Sequence, residues 1–366
     1  MELTIIAHIY NECFLLPWWL KHHKRLFTHG VVIDYNSDDG SIDIIKKICP
    51  TWDIVPSKNK YYSRPTLGPE LTEIEKNIKG WKTILNVTEF IFHPDLRTYL
   101  QTLSSNVKGV WMPPISLIDE DPDNPLNDDM PLVLQKIYGT IGKNKVRPTN
   151  RLIHRSQHGE WKGEGRHDSY MNNTFIAGDL FHVWLGWCPW RTEFIKRKLQ
   201  IQDKMALEYK TSKAIEEVGY HITTEEKLSK DFEKIHNEHC RNLFHDPVYE
   251  LLYKEIEKSY NDENYKFHPF LFQDKAEYNM QRITSQLKST NNEYLLIVKD
   301  AKTKDSLFSV DVNSNFDPAE FIQSVFQNLA KWVGLKLKPW NLRMIVMDKK
   351  RNLPIADSEF MKINEK

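Results

Sequence analysis

Four polar clusters in the first quarter of the chain each follow an apolar run, and each is rich in groups that bind or ionise. His8, Tyr10, Asn11 and Glu12 follow LTIIAHI. Asp34, Asn36, Ser37, Asp38 and Asp39 close GVVIDY. Ser57, Lys58 and Lys60 follow TWDIV, and Asn86, Thr88 and Glu89 follow GWKTIL. Carboxylates and amides accept or share hydrogen bonds with hydroxyl and N–H groups. Lysine and arginine clamps neutralise a diphosphate, and Lys58, Lys60, Arg64, Arg147, Arg151, Arg155 and Arg166 are available for that, although such residues are more often solvated surface. Groups able to take a proton from a hydroxyl gather in the middle of the chain: Asp119, Glu120 and Asp121 in an acidic, Pro-rich loop, Glu164, His167 and Asp168 in GEGRHDS, and His182 in DLFHVW, where a core histidine is an equal reading.

The elements that must position these groups alternate. LTIIAHI is a short β-branched run, hence a buried strand. Residues 12–27 carry apolar side chains at helical spacing, with Pro17 marking the true start. GVVIDY is a second strand, NSDDGS a dense turn, SIDIIKKI a helix and TWDIVPS a third strand. PELTEIEKNI predicts a helix, GWKTIL a fourth strand, DLRTYLQTL a helix and VKGVWMP a strand. This rhythm predicts βαβ units in a mainly parallel sheet. Ligands of such sheets bind beyond the carboxyl ends of the strands, which is where the four clusters fall.

Residues 147–190 read as irregular, apart from the strand-like TFIAGDLFHVWLGW, and residues 191–260 as two or three helices of mixed charge. The predicted division is a main domain over 1–245, a helical segment and linker over 246–288, and a small α+β domain over 289–366. In that last domain YLLIVKD and SLFSVDV form a hairpin, DPAEFIQSVFQNLAKWV a helix capped by Asp317 with Pro318 next, and LRMIVMD a further strand.

Lys plus Arg and Asp plus Glu are each 50, so the formal net charge of zero argues against a nucleic-acid surface. Eleven Trp supply core volume and flat stacking faces. The four cysteines, Cys13, Cys49, Cys188 and Cys240, form no CxxC pair and read as reduced thiols. No run approaches the roughly 18 apolar residues of a membrane span, and the chain opens on a strand without a signal peptide, so a cytoplasmic location is expected. The sequons at Asn86 and Asn172 read as accidental, and His236-x-x-His239-Cys240, without a second Cys partner, as surface.

The run AHIYNECFLLPWWLKHHKRLFTHGVVIDYNSDDGS resembles the opening of family-2-like GT-A glycosyltransferases: a strand, Asn-Glu, a helix with an apolar-Pro-Trp segment, then a strand ending in Asp-x-x-Ser-x-Asp-Gly-Ser, here Asp34 to Ser41. The resemblance covers roughly residues 1–190 and is specific in the first forty. It implies a Rossmann-like GT-A fold, a mainly parallel α/β sheet with helices on both faces, followed by the helical segment and the small, β-grasp-like domain. It implies that the Tyr10–Glu12 segment and Asp34 hold the base and ribose of a nucleotide-diphosphate sugar, with Asn36, Ser37, Asp39 and Lys58 beside them. It favours an acidic acceptor-side base after VKGVWMP or in the irregular region, and a histidine, here His182, near the diphosphate.

The departure is at the fourth strand. The family ends it in Asp-x-Asp, which places a divalent ion on the donor diphosphate. Here Asn86-Val87-Thr88-Glu89 stands instead. Three readings follow: cationic side chains replace Mg²⁺ or Mn²⁺, Glu89 (with His182) holds a metal weakly, or the chain is catalytically dead. The implied activity is transfer of a sugar from a nucleotide-diphosphate donor to a glycan or other hydroxyl acceptor, with inversion. The rivals are a non-catalytic nucleotide-sugar or glycan-binding protein and a sugar nucleotidyltransferase, whose Gly-rich loop is missing after the first strand.

Overall fold

The computed structural model describes residues 1–103, 105, 107–142, 146, 149–162, 166–177, 179–206, 223–267, 294–300, 306–312, 341–348 and 353–362. Contacts divide it into two compact units, one of residues 1–174 and 179–267 and one of residues 175–178 and 268–366.

The first unit opens as the sequence predicts. Strand β1 (Leu3–Ile9) leads to helix α1 (Leu16–Leu26), β2 (His29–Asp34), α2 (Ser41–Ile48) and β3 (Asp53–Pro56). Pro17 sits in the first turn of α1, where its missing N–H has no intrahelical partner to lose. Helix α3 (Arg64–Asn77) is longer than predicted and takes Pro69 into its interior. Strands β4 (Trp81–Ile84) and β5 (Glu89–Phe92), helix α4 (Leu96–Gln101), and strands β6 (Gly109–Met112) and β7 (Pro114–Ile118) follow. After them come α5 (Leu132–Gln135), β8 (Tyr138–Ile141), β9 (Arg151–His154), β10 (Thr174–Ile176) and β11 (Phe181–Trp187). Helix α6 (Thr192–Lys204), α7 (Glu225–His239), β12 (Arg241–Asn242) and α8 (Pro247–Asn261) complete the unit.

The main sheet runs β10-β6-β9-β4-β1-β2-β3. Its β4-β1-β2-β3 portion is parallel, so the fold is mixed α/β with a parallel nucleus. Strand β1 is buried from Leu3 to Ala7, as a strand covered on both faces must be. Ile6, Ile33, Tyr35, Leu67, Leu71 and Ile84 form one core cluster with α3. Strand β9 corrects the sequence reading: RLIH, left as irregular, is an inner strand antiparallel to both β4 and β6. A second sheet runs β12-β8-β7-β11-β5. The NVTEF junction carries the chain from β4 in the first sheet to β5 in the second.

Helix α8 belongs to the first unit, although its residues fall beyond the predicted boundary at 245. Asp246 caps it by accepting from the N–H groups of Val248 and Tyr249, and the Phe92 and Tyr249 rings stack 5.1 Å apart. In the second unit, β13 (Tyr294–Asp300) pairs antiparallel with β14 (Ser306–Val312), the predicted hairpin. Strand β15 (Asn341–Asp348) pairs with the other edge of β13, and β16 (Leu353–Lys362), not predicted, pairs with β15. The helix predicted from Asp317 and most of the linker before residue 289 lie outside the described residues. Among the described residues no helix is long and apolar enough to cross a membrane.

Candidate functional site

The carboxyl ends of β1 and β2 are locked to each other. Asn11 takes a positive φ of 52°; its N–H donates to Ser37 Oγ at 3.0 Å, and its side-chain amide exchanges hydrogen bonds with Asp38 at 2.8 and 2.9 Å. Glu12 N–H donates to Ser41 Oγ, and Cys13 N–H to Asp39, both at 2.9 Å. Asp34 accepts the Ser37 N–H at 3.0 Å. The string from Asp34 to Ser41 therefore folds as an Asx-type turn zipped to the Asn11–Cys13 turn. Helix α6 pins the Asn11–Cys13 turn: Arg197 pairs with both carboxylate oxygens of Glu12, and Gln200 donates to the Asn11 carbonyl at 2.5 Å.

Beneath this scaffold lies a cavity of about 520 Å³. His8, Tyr10 and Glu12 from the end of β1, Tyr35 after β2, and Asn86, Val87 and Thr88 after β4 line it. Arg151, Arg166, His167, the Trp184–Gly186 stretch of β11, and Arg197, Lys198 and Lys204 of α6 complete most of the wall. Among the described lining residues five are cations, and Glu12, held by Arg197, is the single carboxylate. The cavity lies at the carboxyl ends of β1, β2 and β4, where an open parallel sheet places its ligand.

At the end of β4 the junction turns back on itself: Glu89 N–H donates to the Asn86 carbonyl at 2.8 Å, and Asn86 N–H to Glu89 Oε2 at 2.9 Å. Glu89 is fully buried. Its Oε1 accepts from Nε and Nη2 of Arg151 at 2.9 and 2.7 Å. Arg151 Nη1 lies 3.1 Å from Nδ1 of His167. A guanidinium only donates, so Nδ1 of His167 accepts, which places the proton of the neutral ring on Nε2. In this arrangement His167 carries its proton at Nε2 and does not act there as a base.

One α6 cation, Lys198, is electrostatically strained. Lys198 lies over the rings of Trp187 and Phe194 at 4.5 and 5.4 Å. Its close surroundings, with Arg197 adding, lower its pKa to about 7 against the pull of Asp231. Burial, and then Arg151, lowers that of Arg166. Burial raises the Glu12 carboxyl, opposed by Arg197. Lys204 lies 4.6 Å from the Tyr10 ring centre. Crowded like charges of this kind favour an anionic ligand.

Of the residues predicted to hold the donor, His8, Tyr10, Glu12, Asn86 and Thr88 line the cavity, whereas Asn11, Asp34, Asn36, Ser37, Asp39, Lys58 and Glu89 do not. The reasons are physical. Asn11, Asp34, Ser37 and Asp39 direct polar atoms into the turn scaffold, Asn36 is exposed at φ 63°, and Lys58 pairs with Glu73 at 2.8 Å on the surface. As a metal pair, Glu89 and His182 are corrected: the Glu89 carboxylate is taken by Arg151 and the Asn86 N–H, and His182, buried in β11, meets the Met112 carbonyl at 3.0 Å through Nδ1. Among the described residues no group of three His, Cys, Asp or Glu is placed to hold a metal.

Of the described proton-acceptor candidates, only His167 reaches the cavity wall. Asp119 is fully buried, pairs with Lys136 at 2.5 Å and accepts the Trp190 N–H at 2.7 Å, so its carboxylate braces the loop. Glu120 lies outside the cavity lining, and burial raises its carboxyl. Asp121 caps its own turn through the Asp123 N–H, and Asp168 is exposed, 3.1 Å from Lys162. Glu164 and Arg147 lie outside the described residues, and the side chain of Arg64 does also.

The sequence reading missed the three α6 cations, because an amphipathic helix of mixed charge looks like a solvated one. It also missed Glu70, which accepts from Tyr35 at 3.2 Å, from Ser57 at 3.0 and 3.1 Å, from Lys58 N–H at 2.6 Å and from Asn59 at 3.0 Å, so that α3 braces the turn after β3.

No protein-family model matches the chain, and no curated protein does. Similar solved structures include S. aureus TarS residues 1–349 in complex with UDP-GlcNAc, at 13% identity over 71% of this chain and 89% of that one, with a TM-score of 0.33. S. aureus TarS itself is similar at 11% identity over 97% and 77%, TM-score 0.31. A third is 4-diphosphocytidyl-2C-methyl-D-erythritol synthase from Anaerococcus prevotii, at 14% identity over 42% and 70%, TM-score 0.23.

Proposed function

We propose that the chain transfers a sugar from a nucleotide-diphosphate donor to a hydroxyl acceptor, with inversion, and that cationic side chains take the place of a divalent metal on the diphosphate. One observation carries this reading: a cavity at the carboxyl ends of β1, β2 and β4 is walled by five cations, with one carboxylate that is itself paired. From the Asn-Glu and Asp-to-Ser strings of the glycosyltransferase resemblance, Glu12 and Tyr35 line that cavity, and the other polar residues close the turns that hold them. In the proposed reaction the acceptor oxygen bonds to the anomeric carbon as the bond from that carbon to the diphosphate breaks, and the hydroxyl proton passes to solvent water at the cavity mouth. The negative charge that develops on the leaving diphosphate is neutralised by Arg166, Lys198 and Lys204, the electrostatic service a cation supplies elsewhere. Arg151 holds Glu89 and His167 in place.

The direct test is a thermal-shift and turnover screen with uridine, guanosine and thymidine diphosphate sugars. A ligand that binds only the native state raises its melting point. Binding by none of them removes the reading, and binding without nucleotide release over a range of acceptors removes its catalytic half. Nucleotide binding is further expected to survive excess EDTA, because Asn86 and Thr88 offer only neutral oxygens to an ion and Glu89 is occupied. Binding that EDTA abolishes and Mn²⁺ restores defeats the metal-free mechanism.

A pH dependence follows from Lys198. With its pKa lowered to about 7 in the empty cavity, the amine must take up a proton to meet the diphosphate at higher pH. Affinity for the nucleoside diphosphate is expected to fall above pH 7 by up to about tenfold per pH unit. The groups that set this are Arg197 on the same helix, Asp231 on α7 and the rings of Trp187 and Phe194. Calorimetry from pH 7 to 9 checks it, and Lys198→Met is expected to bind more weakly with a flattened profile. A flat profile in the wild-type chain rules out the clamp.

A further inference from the structure

Strand β11 contains a one-residue irregularity at the cavity wall. Its register against β7 pairs Trp184 with Ser116 but Trp187 with Ile118, so three steps on β11 match two on β7. A bulge of this kind re-aims side chains and is common beside functional sites. Here the stretch Trp184, Leu185 and Gly186 lines the cavity. The displaced backbone has a specific anchor: Leu185 N–H donates to the Thr88 carbonyl at 2.8 Å. The bulge is therefore fastened to the junction that ends β4.

The glycine in the bulge has a second role. A Cβ on Gly186 would lie 2.1 Å from two atoms of the six-membered ring of Trp184. The indole thus lies against the Gly186 backbone, closer than any side chain allows, and only glycine leaves room for it. Trp184 is also the cross-strand partner of Glu89, so its side chain stands beside the Glu89–Arg151 pair, and Arg151 in turn touches His167. A flat, partly exposed aromatic ring is seated on backbone at the wall, next to two cavity-lining polar groups from other elements.

We propose that the Trp184 indole is the platform for the sugar ring of the donor, a hexopyranose whose C–H face stacks on it, while hydroxyls on the ring edge meet Asn86, Thr88 and the Arg151–His167 pair. An aromatic face suits this task because it gives apolar contact over a wide area with a fixed orientation and little loss of side-chain freedom. This assignment rests on the function proposed above and divides the cavity, with the phosphates at the α6 cations and the sugar at the bulge.

The division predicts a selective defect. In Trp184→Ala, affinity for uridine, guanosine or thymidine diphosphate stays within about twofold of the wild type. Affinity for the matching glucose and N-acetylglucosamine conjugates falls by about tenfold. Trp184→Phe, which keeps a flat ring, recovers most of that loss and guards against a variant that fails to fold. Gly186→Ala, which evicts the ring, shows the defect with the indole still present. The conjugates alter tryptophan fluorescence in the wild type more than in Trp184→Phe. Equal loss of nucleotide and conjugate in Trp184→Ala and Trp184→Phe, or no loss in either, overturns the assignment. A wild-type chain that binds no nucleotide overturns the function reading and this assignment with it, whereas nucleotide binding without any gain from the sugar overturns the assignment alone.

Discussion

Arg151→Ala is expected to destabilise the first unit by about 3–5 kcal/mol, the range found when one partner of a buried ion pair is removed and the other is left charged in the interior. Glu89 has no exposed surface, and the Arg151 side chain is only 4% exposed. Without the guanidinium, Glu89 loses both of the hydrogen bonds that its Oε1 accepts from Arg151. It must therefore protonate or draw water into the junction between the two sheets. The same substitution releases Nδ1 of His167 and is expected to abolish nucleotide-sugar binding. Arg151→Lys keeps the charge but not the fork that reaches Glu89 through two nitrogens and His167 through the third, so it rescues stability in part. Combining Arg151→Met with Glu89→Gln removes the stranded charge and is expected to restore most of the stability without restoring binding. Urea denaturation of the four proteins measures this. A loss below about 1 kcal/mol in Arg151→Ala contradicts the argument, since that is the scale of an exposed pair.

The opening β1-α1-β2-α2-β3 unit was legible because each signal is local. Short β-branched runs, Pro17 in a first turn and the NSDDGS string dictate strand, helix start and turn without reference to distant residues. The position of the cavity was legible too, since the carboxyl ends of parallel strands follow from the alternation. What each polar residue does there was not. Asp34, Ser37 and Asp39 have the residue types of a binding loop, yet their hydrogen bonds close the turn and hold Asn11 to Cys13. The same atoms serve either task, and only the three-dimensional partner decides between them.

Strand β9 was illegible for the opposite reason. RLIH is four residues long in polar surroundings, and its strand character comes from pairing with β4 and β6, whose sequence positions are far away. Tertiary pairing overrides local pattern in such cases. The buried carboxylates Glu70 and Glu75 of α3 carry no local sign of their burial. Glu75 is fully buried and accepts from His154 at 2.9 Å, Trp161 at 3.0 Å and the Gly159 N–H at 3.3 Å. A charge can be buried only with such donors around it, and those donors lie some eighty positions along the chain. The cations Arg197, Lys198 and Lys204 carried no signal at all, because the direction an amphipathic helix faces is set by what it packs on.

Mild acid is expected to destabilise the first unit through two histidines that the cavity does not use. His22 and His23 are adjacent on α1 and buried, with their rings 5.0 Å apart and edge to face. Their partners fix both tautomers. His22 Nε2 is 2.7 Å from the Ile91 carbonyl and must donate to it, so Nδ1 accepts from the Tyr260 hydroxyl at 2.8 Å. His23 Nδ1 donates to the Trp19 carbonyl at 2.9 Å, so Nε2 accepts the Ile91 N–H at 3.2 Å. The pair thereby clamps α1 to β5 and to the end of α8. A second proton on His23 would set one N–H against another. Burial, with Arg25 adding, lowers the His22 pKa to about 4, and burial, with His22 adding, pushes that of His23 well below its usual value. In the unfolded chain both titrate near 6.5. The unfolded state therefore binds protons below pH 6.5 that the folded state refuses, and stability falls as pH drops from 6.5 toward 4. Between pH 6.5 and 5, His22 alone accounts for about 2 kcal/mol, a large part of an ordinary domain's margin of roughly 5–15 kcal/mol. The buried carboxyl of Glu75 is held below its normal value, so it stays ionised across this window and contributes little to the slope. Urea midpoints of the wild type and of His22→Gln/His23→Gln, compared between pH 7 and pH 5, isolate the effect. The double variant is expected to be less stable at pH 7 and to lose less on acidification. An equal loss in both proteins would mean that the pair takes up protons in the folded chain as readily as in the unfolded one, and that the acid sensitivity of the fold lies elsewhere.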